Sequence, residues 1–222
     1  MCLFNLHTHS RDHRPHILAI HNVNPEQLSG TDQLPTPFSC GIHPWFIIPD
    51  QISSQTDQIK GYLTHPHCVA LGEAGLDKLC GTPWALQLDV FQTMIQLSEE
   101  YRKPMIIHCV KAYAELLNLR KKLRPTQPWI IHGFRGNPVL AQQLISHGLY
   151  LSFGKHYNED TLRSIPTDRF FLETDDAPFD LSTLYQQVSG LRGIPLSRLS
   201  EEINLRAKTL FGSDLFQNMQ EK

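Results

Sequence analysis

The sequence lacks several features that would narrow its class at once. Its five cysteines include no Cys-x-x-Cys pair, which argues against a paired-thiol redox site or a zinc ribbon; most lie in apolar runs and read as reduced, structural residues. No apolar run approaches the length needed to cross a bilayer, and the four-residue run near the first residue is too short for a signal-peptide core. A cytoplasmic protein with no membrane partner is expected. Charge excess is missing too: 20 Lys and Arg against 22 Asp and Glu give a formal net charge of −2. An anionic substrate must therefore be held by a local positive field rather than by the whole surface. Repeats, low-complexity tracts and linkers are also absent. A single domain over residues 1–222 is expected, and 41% apolar content is enough for one sizeable core.

What is present is a series of short apolar runs: Leu3 to Leu6, Ile17 to Ile20, Phe38 to Ile42, Cys68 to Leu71, Met105 to Ile107, Trp129 to Ile131, Leu149 to Phe153 and Phe170 to Leu172. Most are continuous rather than alternating, as in parallel strands covered on both faces. Helices are expected after Thr82-Pro83, from about Ala112 to Leu123, from Asn137-Pro138 to Gly148, and from Leu196 to Phe211 before Gly212. Strands alternating with helices predict an α/β fold, a compact (β/α)8 TIM barrel. Its front end is short of chain, because a parallel crossover usually requires a dozen or more residues. Either an extended segment replaces the first helix or the second strand is not parallel. Asn22 to Pro37, polar and punctuated by proline, reads as loop where a second helix would stand. The first one or two helices are thus expected to be shortened or replaced by loop.

Chemistry gathers where these runs end. In "LFNLHTHS", His7 and His9 share one face of a strand and stand roughly 7 Å apart, a geometry that suits a metal ion. Glu73 follows "CVALG", His108 follows "MII", His132 follows "WII", and Asp175 closes "FFLETD". In barrels the C-terminal rim of the strands carries the active site. Four imidazoles and two carboxylates exceed the needs of one tetrahedral zinc and suit two ions. A second His-x-His, His65 and His67, precedes its strand and is expected on the opposite face as surface histidines. Lys78, Lys111, Arg135 and Lys155 follow strand ends on the catalytic side, where cations can hold phosphate oxygens. Arg120, Lys121, Lys122 and Arg124 cluster instead at a helix C-terminus, complementing the macrodipole. Trp45 and Phe46 also follow a strand end, open either to stacking on bases or to packing.

The ordered set "NLHTHS", "CGIHPWF", "ALGEAGLD", "PMIIHC", "WIIHGFRG", "FLETDDAP" and "INLRAKTLFG" resembles the TatD-like metal-dependent deoxyribonucleases, a branch of the amidohydrolase-type barrels, over nearly the whole chain. "HTHS" would also suit a polymerase-and-histidinol-phosphatase enzyme, but "GEAGLD" and "LETDDAP" argue against it. The resemblance implies a two-metal site that hydrolyses phosphodiester bonds, usually in DNA. It makes His7, His9 and Asp175 ligands of one ion, His108 and His132 ligands of the other, and Glu73 the bridge, with His43 in "GIHPW" a substrate-side residue. Two divalent cations, zinc, manganese or magnesium, would lower the pKa of a water. Asp175 is the candidate to take that water's proton, and Glu73 is the second catalytic carboxylate. The chain departs from the family pattern at Val110-Lys111, where an Arg-Asp pair is common, and at Arg135, where a small hydroxyl residue is common. His43, Lys111, Arg135 and Lys155 are accordingly expected substrate contacts, for DNA or a small phosphoester. Two alternatives stay open: hydrolysis of a small phosphoester, ester or amide by the same site, and a noncatalytic metal- or nucleic-acid-binding protein.

Overall fold

The computed structural model describes residues 1–11, 14–24, 34–213 and 215. Among them are eight strands: β1 (Leu3–Thr8), β2 (Ile17–Val23), β3 (Phe38–Cys40), β4 (Cys68–Asp77), β5 (Met105–Val110), β6 (Trp129–Ile131), β7 (Tyr150–Phe153) and β8 (Phe170–Leu172). Seven helices accompany them: α1 (Ile52–Leu63), α2 (Trp84–Glu100), α3 (Tyr113–Leu123), α4 (Pro138–Ser146), α5 (Glu159–Ser164), α6 (Leu181–Arg192) and α7 (Leu196–Phe211). The strands form one sheet in chain order. Pairing is parallel between β1 and β2, β3 and β4, β4 and β5, and β7 and β8. This is the (β/α)8 barrel expected, with a strand at each of the eight apolar runs.

The chain reaches β2 in parallel register without any helix among the described residues. Most of the expected loop from Asn22 to Pro37 lies outside the described residues. Three helices stand where none was expected. In α1 the buried positions are Gln55, Ile59 and Leu63, and Gln55 is buried because its amide donates to the Phe46 carbonyl at 2.8 Å and accepts from Ile48 N at 3.1 Å. Helix α5 is only one and a half turns long, opened by the Asn158 side chain accepting from Thr161 N. Helix α6 buries Leu181, Leu184, Tyr185 and Val188, and Gly193 in the left-handed region ends it. Among the described residues no helix is long and apolar enough to cross a membrane, and the five cysteines are free thiols.

Two compact units make up the chain: Met1–His21 with Ile131–Lys222, and Asn22–Ile130. In the first, β1 is buried along its whole length, and the Tyr185 hydroxyl of α6 donates to the Phe4 carbonyl at 2.7 Å. Arg206 of α7 donates to the carbonyls of Phe170 and Thr167 and lies over the Phe171 ring. Beyond β8 the chain bridges back to β1: Asp175 N donates to His7 O at 3.0 Å, and His9 N donates to Asp175 O at 3.1 Å. In the second unit β4, ten residues long, packs between β3 and β5, and α2 covers it with Val90, Phe91, Met94 and Ile95. His65 and His67 lie in the turn before β4, half-buried and exposed respectively, as expected of surface residues at the opposite strand end.

Candidate metal centres

Each unit brings strand-end ligands together. In the first, His7 near the end of β1 and His9 one residue beyond that strand bring their rings to 5.0 Å, and the β8 to β1 bridge sets Asp175 against both. His7 Nε2 and His9 Nε2 lie 3.6 and 3.5 Å from Asp175 Oδ1. Those separations are long for hydrogen bonds and close to the spacing of two ligands on one ion with bonds of about 2.1 Å. His132, at the end of β6, stacks its ring 4.5 Å from that of His7. His7, His132 and Asp175 each offer a ligand atom within 4.8 Å of the others. Asp175 holds a left-handed backbone, φ 54°, a conformation that Asp tolerates better than most residues and that its two bridge hydrogen bonds enforce.

His132 is held from behind by a residue the sequence reading did not single out. Glu173 is fully buried, and its Oε1 accepts from Gly133 N at 2.6 Å and stands 3.4 Å from His132 Nδ1. A carboxylate there fixes the imidazole proton on Nδ1 and leaves Nε2 with a lone pair. Burial pushes the Glu173 carboxyl up, but the His132 and Ser152 side chains that face it outweigh burial and hold it below the ordinary range.

In the second unit the register of β4 against β5 places His108 beside Gly75. Glu73 and Asp77 flank that glycine two residues to either side. His108 Nδ1 lies 2.9 Å from Glu73 Oε1, and its Nε2 lies 3.1 Å from Asp77 Oδ2. Asp77 Oδ2 also accepts from Trp45 Nε1 at 2.7 Å, and Asp77 Oδ1 accepts from Leu79 N at 2.8 Å. Burial raises the Asp77 carboxyl, and these donors more than reverse it. A neutral imidazole has a single N–H. Once that proton serves Asp77, the Nδ1 lone pair faces a carboxylate oxygen, an arrangement that calls for a cation between them. The donor set therefore fits a divalent ion held by Glu73 and His108.

His43 joins this group, with its Nε2 3.2 Å from Glu73 Oε1, but its hydrogen bonds give it another part. Its Nδ1 accepts from Trp45 N at 3.1 Å, so a neutral His43 carries its proton on Nε2 and donates to Glu73. A nitrogen that donates cannot ligate, which leaves His43 beside the Glu73–His108 pair as a hydrogen-bond donor. Lys111, Arg135 and Lys155 are exposed just beyond β5, β6 and β7. Lys78 is tied up by Glu115 at 2.5 Å and by the Trp84 ring. Asp176 is exposed next to Asp175. The basic residues Lys121, Lys122 and Arg124 are exposed at the end of α3.

Comparison with known proteins follows the same lines. The family model described as TatD related DNase matches residues 9–212. The 3'-5' RNA nuclease TATDN2 of Homo sapiens is 35% identical over 153 residues, which cover 64% of this chain and 20% of that protein, so the chain spans about a fifth of that relative. The 3'-5' ssDNA/RNA exonuclease TatD of Citrobacter koseri is 28% identical over 210 residues, covering 78% of this chain and 77% of that one. The crystal structure of YJJV, a TatD homolog from Escherichia coli k12, shares the fold with a TM-score of 0.76 at 18% identity, covering 94% of this chain and 97% of that chain.

Proposed function

The chain belongs to the TatD related DNase family, and from that premise we propose that it is a metal-dependent hydrolase that cleaves phosphodiester bonds in single-stranded nucleic acid. The observation that carries the reading is the placing of His108 between two carboxylates, Glu73 and Asp77. A second cation belongs with His7, His9, His132 and Asp175. Bound divalent cations supply Lewis acidity: they lower the pKa of water and neutralise charge on a phosphate in its transition state.

The chain's own residues do the rest. Glu73 within β4 and His108 in β5 would hold one ion, with Asp77 keeping His108 in the ligating tautomer. His43 turns its single N–H toward Glu73 and so positions that carboxylate. Asp175, 30% exposed at its side chain, is the group to accept the proton of the attacking water. Lys111, Arg135 and Lys155 offer positive charge to nonbridging phosphate oxygens.

The test pairs elemental analysis of the purified protein with an oligonucleotide-cleavage panel across added zinc, manganese and magnesium. Cleavage of single-stranded DNA or RNA that disappears in Glu73→Ala is the expected result. Turnover of small phosphomonoesters, esters or amides with no cleavage of any oligonucleotide would move the assignment to a small-substrate hydrolase. Bound metal without turnover of anything in the panel would make the chain a noncatalytic binder.

A further inference from the structure

A groove of about 680 Å3 opens within the unit Asn22–Ile130, lined by Trp45, Ile47, Asp77, Leu79, Pro83 and Val110 among others. That volume falls among those of small-ligand pockets, ~300–1,000 Å3. The groove shares Asp77 with His108: one carboxylate oxygen takes both the Trp45 indole N–H and the His108 Nε2. The groove therefore meets the Glu73–His108 cluster at Asp77.

Trp45 is 59% exposed, yet its ring is fixed. Besides the Asp77 bond, its backbone N donates to His43 Nδ1, and its ring meets His43 edge-on with centroids 5.0 Å apart. The residue before it, Pro44, has its carbonyl pinned by the Thr82 hydroxyl at 2.6 Å. Leu79 in the same lining is 68% exposed. Large apolar side chains left in water, and an aromatic ring held in a fixed plane beside a cluster fit for a cation, suit a ligand with a flat π-face next to an anion. Lys111, directly after Val110 of the lining, adds positive charge. A nucleotide unit joins such a planar ring, through a sugar, to a phosphate.

We propose that this groove is the subsite for an unpaired nucleobase adjoining the scissile phosphate, with the Trp45 indole as its stacking platform. The inference rests on the phosphodiesterase reading and names the part of the substrate that this face binds. Stacking on one ring tolerates any base, because every base has a π-face. A base inside a duplex is already stacked on both sides, so the groove accepts only a nucleotide drawn out of pairing.

The test measures equilibrium binding, by fluorescence anisotropy, of a 5'-labelled single-stranded oligonucleotide and of copies carrying one abasic residue at successive positions. An Asp175→Asn background removes the proposed proton acceptor so that the probe stays intact. Trp45→Ala is expected to weaken binding by about 5- to 150-fold. Trp45→Phe, which keeps a ring but loses the bond to Asp77, should lose about threefold or less. Leu79→Ala, which changes the lining without touching Asp77, should weaken binding in the same direction. At one probe position an abasic residue should cost the Asp175→Asn parent as much as Trp45→Ala does, and should cost Trp45→Ala nothing further. Binding by Trp45→Ala within twofold of the parent, or abasic and Trp45 losses that multiply independently at every position, would overturn the subsite alone. Failure of the parent to bind any oligonucleotide would overturn the phosphodiesterase reading and the subsite together.

Discussion

Asp77 joins two aromatic side chains with one carboxylate oxygen, and nothing in its neighbourhood of the sequence announces that role. The ligand-type residues are legible because each follows an apolar run in the sequence: His7, His9, Glu73, His108, His132 and Asp175. Asp77 and Glu173 act through other side chains, His108 and His132, so their roles depend on pairings 31 and 41 residues away in the chain. They become visible only once the register of the strands is known. Asp77→Asn keeps the shape but removes the charge that orients His108, and should weaken divalent-ion affinity by about 10- to 100-fold in a calorimetric titration. His43→Ala, by contrast, should leave the affinity within about threefold, because the His43 Nε2 is a donor. Equal losses in the two variants would make His43 a ligand and refute the tautomer assignment.

Strands were easier to read than helices, for a physical reason that α1 makes plain. A strand buried on both faces announces itself as an unbroken apolar run, whereas α1 buries Gln55 through hydrogen bonds, which hydrophobic spacing does not register. Helix α6, by contrast, carries the 3.6-residue spacing in Leu181, Leu184, Tyr185 and Val188, together with a Gly193 stop. Within β4 the decisive residue is Gly75: a Cβ there would collide with the His108 carbonyl oxygen. Gly75→Ala should therefore push β5 away and cost more than about 2 kcal/mol in urea unfolding, with loss of metal at Glu73 and His108.

The end of α2 gives a pH-dependent test at the same scale. Glu99 takes the Thr126 and Gln127 amides at 2.8–3.0 Å and the Thr126 hydroxyl at 2.6 Å. Burial pushes its carboxyl up, and these donors hold it below the ordinary range. A group depressed on folding stabilises the native state above its unfolded pKa and loses that contribution as pH falls through the folded value. Glu99→Gln should cost about 1 kcal/mol at pH 7, after allowance for solvent screening. The gap from the parent should close as the pH drops below about 4. A gap that persists undiminished into acid would show that the carboxylate charge is not what holds this loop.

For the whole molecule, fold and chemistry were legible to different depths. Eight apolar runs point to a barrel, and the ligand types that follow them point to a metal-dependent class, because both depend on local pattern. Substrate preference was not legible: a net charge of −2 gives no direction, and the groove at Trp45 is assembled from β3–β4 and β4–α2 connections that no local pattern joins. The central claim, that strand-end ligands in each unit hold divalent cations, is tested most directly by anomalous diffraction from crystals of the protein grown with manganese or zinc. Anomalous peaks are expected about 2.0–2.3 Å from ligand atoms of Glu73 and His108, and again from ligand atoms of His7, His9, His132 or Asp175. A map with the side chains ordered and no ion at either group, or with ions bound only elsewhere on the surface, would contradict the account.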